Sequence, residues 1–222
     1  MAAPHVAGAV ALLADWWRHS FAGATDPSPA MAKALLVNSA VDIGTADRPN
    51  IHEGWGRIHL PGIVDAAVPL VLRDQQELFT ATGQQLQLEV GVVDPSEPLR
   101  VSVAWSDAPG AVGANPALVN NLDLTVETDG STYLGNQFAA GWSTTGGVAD
   151  SLNNLENVFV ANPGESVTIT LDATAIVGDG VPYNGFGVDQ DFALVCYNCE
   201  GPSDFSDGFE SGDTSAWTST TP

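Results

Sequence analysis

Two groups of oxygen-bearing side chains are the residues best suited to chemistry in this sequence. Asp107, Asn121 and Asp123 bracket a long stretch between two apolar segments, and Asn154, Glu156 and Asn157 fall together in "NNLENV". Calcium takes about six to eight oxygens from carboxylates, amides and carbonyls on turns, and both groups can contribute them. The competing role is the capping of turns through Asx hydrogen bonds. Ca2+ is therefore the expected structural cofactor. Cys196 and Cys199 have C-x-x-C spacing. A redox site would want a helix N-terminus behind the pair, and a zinc site would want a second pair of ligands. Neither follows, so a local disulfide in an oxidising compartment is expected. His19, His52 and His59 lack a Cys or His at ligand spacing, and no Ser-His-Asp set is identifiable.

The elements that must position these residues separate into three textures. Residues 1–70 read as helical. Val6, Val10, Leu13 and Trp17 form one face of a first helix, and its remaining surface is largely alanine, the pattern of a helix enclosed in a larger body. A second helix starts near Pro29 in "PSPAMAKALLVNSAV". Residues 71–198 alternate apolar and polar side chains with period two, as in "QQLQLEVGVV", "LRVSVAWSD", "NLDLTVET" and "SVTITLDATAI". Turn residues punctuate them, which predicts an antiparallel β-sandwich or jelly roll. Residues 199–222 are rich in Ser, Thr, Gly and Asp and read as a flexible acidic tail. The expected fold class is thus α+β overall.

With 27 acidic and 6 basic residues the formal net charge is −21. Such a surface repels phosphate backbones, which argues against a nucleic-acid partner. No apolar run is long enough for a membrane span, and the apolar N-terminal stretch has no basic residues ahead of it as a signal peptide would. Dispersed carboxylates with few lysines suit a secreted, calcium-binding protein.

The opening "MAAPHVAGAVALL" is similar to the segment just after the catalytic serine of subtilisin-like serine proteases, the subtilases. Their signature runs Gly-Thr-Ser-Met-Ala-Ala-Pro-His-Val-Ala-Gly, and Met1 to Gly8 match its later part residue for residue. The resemblance implies that the nucleophilic serine directly precedes Met1, that the Asp and His of the triad lie further upstream, and that this chain holds no catalytic residue. A serine there would sit at a helix N-terminus, whose free N–H groups stabilise an oxyanion. His5 is then a packing or hydrogen-bonding residue rather than the catalytic base. "AMAKALLVNSAVDIG" and "EGWGRIHLPGIVDAA" resemble later parts of the same catalytic domain. On this resemblance, residues 1–70 are the helical remnant of an α/β catalytic domain.

"VAWSDAPGAVGANPALVNNLDLTVET", with "YLGNQF" and "NNLENVFV", resembles the C-terminal jelly-roll domain of certain alkaline subtilases, and the P-domain of proprotein convertases has a related layout. "DGFESGDTSAW" resembles a C-terminal motif of secreted and surface proteins in some Gram-negative bacteria, which implies a sorting or processing signal. Together the resemblances imply a fragment of a secreted bacterial endopeptidase, monomeric, acting on protein or peptide substrates only as the full-length enzyme and inactive alone. The alternative is a non-catalytic, calcium-stabilised binding module.

Overall fold

Period-two alternation becomes two facing sheets. The computed structural model describes residues 2–21 and 25–201; the sorting signal expected near the C-terminus lies outside the described residues. Among the described residues three helices come first: α1 (Ala2–Ser20), α2 (Pro29–Asn38) and the short α3 (Pro61–Val64). Ten strands follow: β1 (Leu70–Phe79), β2 (Gln85–Val92), β3 (Leu99–Ala104), β4 (Asn121–Thr128), β5 (Ser131–Ala139), β6 (Trp142–Thr145), β7 (Leu155–Val160), β8 (Ser166–Ala175), β9 (Gln190–Tyr197) and β10 (Cys199–Glu200). One sheet has the order β1-β9-β3-β7 and the other β10-β2-β8-β4-β5-β6. Every pairing of these strands is antiparallel.

The main core lies between the sheets. Leu122, Leu124 and Val126 of β4, Val167, Ile169 and Leu171 of β8, and Leu99, Val101 and Val103 of β3 alternate inward and meet there with Trp105, Phe192 and Leu194. Asp129-Gly130 joins β4 to β5 as a two-residue turn with both φ angles positive, the geometry that matches strand twist.

β9 differs, with nearly every residue buried. Phe192, Leu194 and Cys196 enter the core, while Ala193 and Val195 face the other way and pack with Met31, Ala34 and Leu35 of α2. Small residues at Ala104 and Ala193 let the helix approach the sheet closely. Burying a side chain such as Leu35 contributes roughly 1.5–3 kcal/mol. The N-cap of α2 is itself held by the sandwich. Ser28 accepts from the Met31 N–H at 2.9 Å, and its own N–H and hydroxyl donate to Asp74 on β1 at 2.8 and 2.5 Å.

The α+β expectation, with a helical remnant of an α/β domain, is corrected here. The chain is mostly β, built on two antiparallel sheets, and among the described residues no parallel sheet forms for the helices to cover. The apolar face of α2 is used against β3 and β9 of the sandwich instead. Nor is α1 enclosed all round: it buries only Ala9, Leu13 and Trp17, while Leu12 is 60% and Val6 40% exposed.

Candidate functional site

Neither predicted group of oxygen ligands stays together, because strand pleat and loop geometry divide them. On β7, Glu156 shares the inward face with Val158 and Val160, so Asn157 points to the opposite side. Asn157 is fully buried there, and its Oδ1 accepts from the Ser102 hydroxyl at 2.6 Å. The same hydroxyl accepts from the Asn38 amide at 3.0 Å, so the end of α2 is wired through β3 to β7. Asn154, just before β7, accepts from Lys33 Nζ at 2.7 Å and donates to the Trp105 carbonyl at 2.9 Å. Burial pulls the Lys33 ammonium below its ordinary value.

Asp107 stands apart from both groups. Its two oxygens accept from the backbone N–H groups of Val119 and Asn120, at 2.7 and 2.8 Å. It closes the 106–120 loop as a backbone cap. Asn120, which the sequence reading passed over, is the hub of that region. Fully buried, its side chain donates to the carbonyls of Gly178 and Asp189 and to Gln190 Oε1, and accepts from the N–H groups of Val177 and Gly178. The only sequence hint was an amide immediately ahead of a strand.

Glu156 remains, while Asn121 and Asp123 lie on the face of β4 opposite the inward Leu122 and Leu124. The Glu156 carboxylate is only 1% exposed, inside a sandwich of aliphatic side chains. Its Oε2 accepts from the Leu124 N–H at 2.6 Å, and Oε1 is buried without a hydrogen-bond partner. The β4–β5 ladder runs from Thr128↔Ser131 to Thr125↔Leu134 and stops one residue short of Gly135. The carboxylate takes the next backbone donor in place of β5. Burial pushes its pKa up to about 9, opposed by the Leu124 hydrogen bond and reinforced by the negative charges of Asp123 and Asp150. Asp123 accepts from Asn121 Nδ2 at 2.9 Å and the Thr174 hydroxyl at 2.6 Å, while Asn121 Oδ1 is a second buried acceptor without a donor. Asp150 accepts from the amides of Asn136 and Asn153 at 2.6 and 2.7 Å.

A further carboxylate group was not anticipated. Oxygens of Asp42, Asp47 and Glu53 lie within 4.8 Å of one another in the loop after α2. Asn50 Nδ2 donates to Asp47 and Glu53 at 2.7 and 2.9 Å, and Asp42 Oδ2 accepts from the Asp47 and Arg48 N–H groups at 3.2 and 3.3 Å. Three acids within twelve positions of a Gly/Pro/Asn loop were the signal available. Beside it, the buried guanidinium of Arg48 donates to the carbonyls of Ala40 at 2.8 Å and Gly141 at 3.3 Å and lies over Phe159.

Cys196 and Cys199 are joined as a disulfide between the end of β9 and β10, with Cα atoms 5.7 Å apart. His5 lies on the exposed side of α1. His19, also exposed, has Nδ1 at 2.7 Å from the Asp15 carbonyl oxygen. Among the described residues no helix is long and apolar enough to cross a membrane.

No family model matches the chain. Over 112 residues it is 29% identical to the serine protease/ABC transporter B family protein tagD of Dictyostelium discoideum, covering 48% of this chain and 6% of that protein. The match thus spans about half of this chain and only a small part of that relative's length.

Proposed function

We propose that this chain is a β-sandwich part of a secreted subtilisin-like serine endopeptidase, lying downstream of the nucleophilic serine and without peptidase activity of its own. The observation that carries the reading is the 29% identity over 112 residues to a protein named as a serine protease. The run Met1–Gly8, with its Met-Ala-Ala-Pro-His-Val-Ala-Gly order, supports the subtilase assignment. The strand order supports reading the sandwich as a jelly roll, since in each sheet a late strand lies between two earlier ones, β9 between β1 and β3 and β8 between β2 and β4. The disulfide supports an oxidising, extracytoplasmic setting.

In this reading the sandwich stabilises and positions the peptidase, and the chemistry belongs to residues preceding Met1. Two tests bear on it. Purified chain incubated with casein should release no peptides, and hydrolysis blocked by a serine-directed inhibitor would refute the inactivity. The in-frame coding sequence ahead of Met1 should read Gly-Thr-Ser. A stop codon there would refute the assignment and leave a free-standing binding module.

A further inference from the structure

We propose that the cavity where the C-terminal end of α2 meets β3, β9 and the approach to α3 binds a small tetrahedral oxyanion, phosphate or sulfate. The chain has only 6 basic residues against 27 acidic ones, yet two of the six are brought together beneath its surface. Arg48 and Arg100 both donate to the Ala40 carbonyl, at 2.8 and 3.4 Å, and both lie over the Phe159 ring. No carboxylate pairs with either among the described residues. Arg100 also donates to the Asn38 carbonyl at 3.0 Å, but its Nε is buried with no acceptor. A buried cation short of acceptors is costly until an anion joins it. Burial and the adjacent Arg48 pull the Arg100 pKa down to about 10.

The side chains around Arg100 are donors as well. Arg100 on β3 and Tyr197 on β9 are paired in register, and both face α2, because Leu99, Val101 and Cys196 beside them point into the core. The guanidinium lies 6.0 Å from the centre of the Tyr197 ring. Ser39, directly after α2, is 7% exposed, and its buried hydroxyl has no partner. His59 stands beside it: a methyl placed on Gly62 would lie 3.0 Å from His59 Nδ1 and 3.4 Å from Ser39 Cβ. These four side chains line one cavity of about 170 Å³. Neither the Tyr197 hydroxyl nor the His59 ring hydrogen-bonds to another described residue. Glu97 lines the same cavity, but its carboxylate pairs with none of them. Drug-sized ligands need about 300–1,000 Å³, so a compact ion suits this space better. Donors arriving from four parts of the chain suit a ligand with oxygens on several sides, and the guanidinium fork matches such oxyanions. The ion would fasten the turn after α2 and the approach to α3 onto β3 and β9.

The test is calorimetric titration of the full chain with inorganic phosphate, ionic strength being matched with chloride. One saturable site per chain is expected, with sulfate competing well and acetate, which has only two oxygens, competing poorly. Arg100→Gln should weaken phosphate about tenfold or more, and Ser39→Ala about three- to tenfold. Ser39→Ala breaks no hydrogen bond of the free chain, so it decides the matter even if Arg100→Gln does not fold. Glu97→Gln removes the acid of the lining and should tighten binding about two- to fivefold. Arg18→Gln, on α1 and outside the lining, should bind as the wild type does. O-phosphoserine titrated in parallel assigns the source: binding like that of inorganic phosphate makes this a site for a phosphate ester, and binding of the free ion alone makes it one for inorganic anions. The proposal is overturned if the wild-type chain shows no saturable binding, if Ser39→Ala binds as tightly as the wild type, or if Arg18→Gln weakens binding as Arg100→Gln does. It is overturned equally if Glu97→Gln lowers stability and binds no tighter, since Glu97 would then be the acceptor itself. No readout involves peptidase activity, so this site and the protease reading stand or fall separately.

Discussion

The Glu156 carboxylate lies directly against the α-carbon of Gly135. A methyl group added at Gly135 would land on Oε2 and within 2.7 Å of Cδ, so glycine at this place in β5 is a condition for the glutamate to enter the seam. The two residues are 21 positions apart and belong to different sheets, and each makes sense only through the other.

Gly135→Ala should therefore destabilise the chain by about 1–3 kcal/mol, the usual cost of overfilling a packed interior. Glu156→Ala removes the two nearest of the three clashing atoms. The double variant should be less unstable than the sum of the singles, with a coupling of about 1 kcal/mol or more in urea unfolding. Strict additivity would show that the contact carries no energy.

Asn120→Ala should be among the most damaging substitutions in the sandwich. It strands the N–H groups of Val177 and Gly178 and the carbonyls of Gly178 and Asp189 in a buried place. Each unsatisfied group costs about 1–3 kcal/mol, so a total loss of about 3 kcal/mol or more is expected by chemical denaturation. Asp107→Ala, which frees only two N–H groups at the loop, should cost less.

Asp191 should make the chain less stable as pH rises. Burial raises its pKa above 3.8, with Asp74 and Asp189 adding repulsion and the Gln75 amide opposing. The folded state holds this proton more tightly than the unfolded chain does. The resulting stabilisation is complete below the unfolded value and is lost as pH climbs through the raised folded value. Asp191→Asn can still accept from Gln75, donating at 2.5 Å in the native chain, but cannot ionise. The variant should gain on the wild type as pH rises above 3.8 in urea titrations, and parallel pH profiles would contradict the assignment.

Ala140 occupies a position that disfavours its side chain. It joins β5 to β6 in a two-residue turn with Gly141, at φ of 50° and 79°. Left-handed backbone costs an ordinary L-residue about 1–2 kcal/mol, and asparagine tolerates it better. Ala140→Asn should raise stability by about 0.5–1 kcal/mol, read as a higher denaturation midpoint with an unchanged slope.

Much of the sandwich was legible in the chain itself. Leu86, Leu88 and Val90 alternate with polar residues, as do Val167, Ile169 and Leu171, and such alternation makes a one-sided strand wherever its partner lies. Asp129-Gly130 likewise announces a tight hairpin, because the dipeptide suits positive φ angles. The pairing of Cys196 with Cys199 needs only a few residues of chain. These are local properties, set by side-chain period, backbone sterics and short loops.

What covers each face and who meets whom were decided only in three dimensions. The face of α2 carrying Met31, Ala34 and Leu35 is apolar whatever it packs on, and nothing local distinguishes a parallel sheet from the outer side of β3 and β9. Asn154, Glu156 and Asn157 look like one cluster in sequence, yet the pleat turns Glu156 inward and Asn157 outward, and Lys33 claims Asn154. Asp107 spends both oxygens on backbone that follows it, while Glu156 meets Leu124 and Gly135 through the order of strands. Those contacts join residues tens of positions apart, and hydrophobic period carries no information about strand order. The excess of carboxylates was written in the composition; only packing selected which of them would be buried beside other acids.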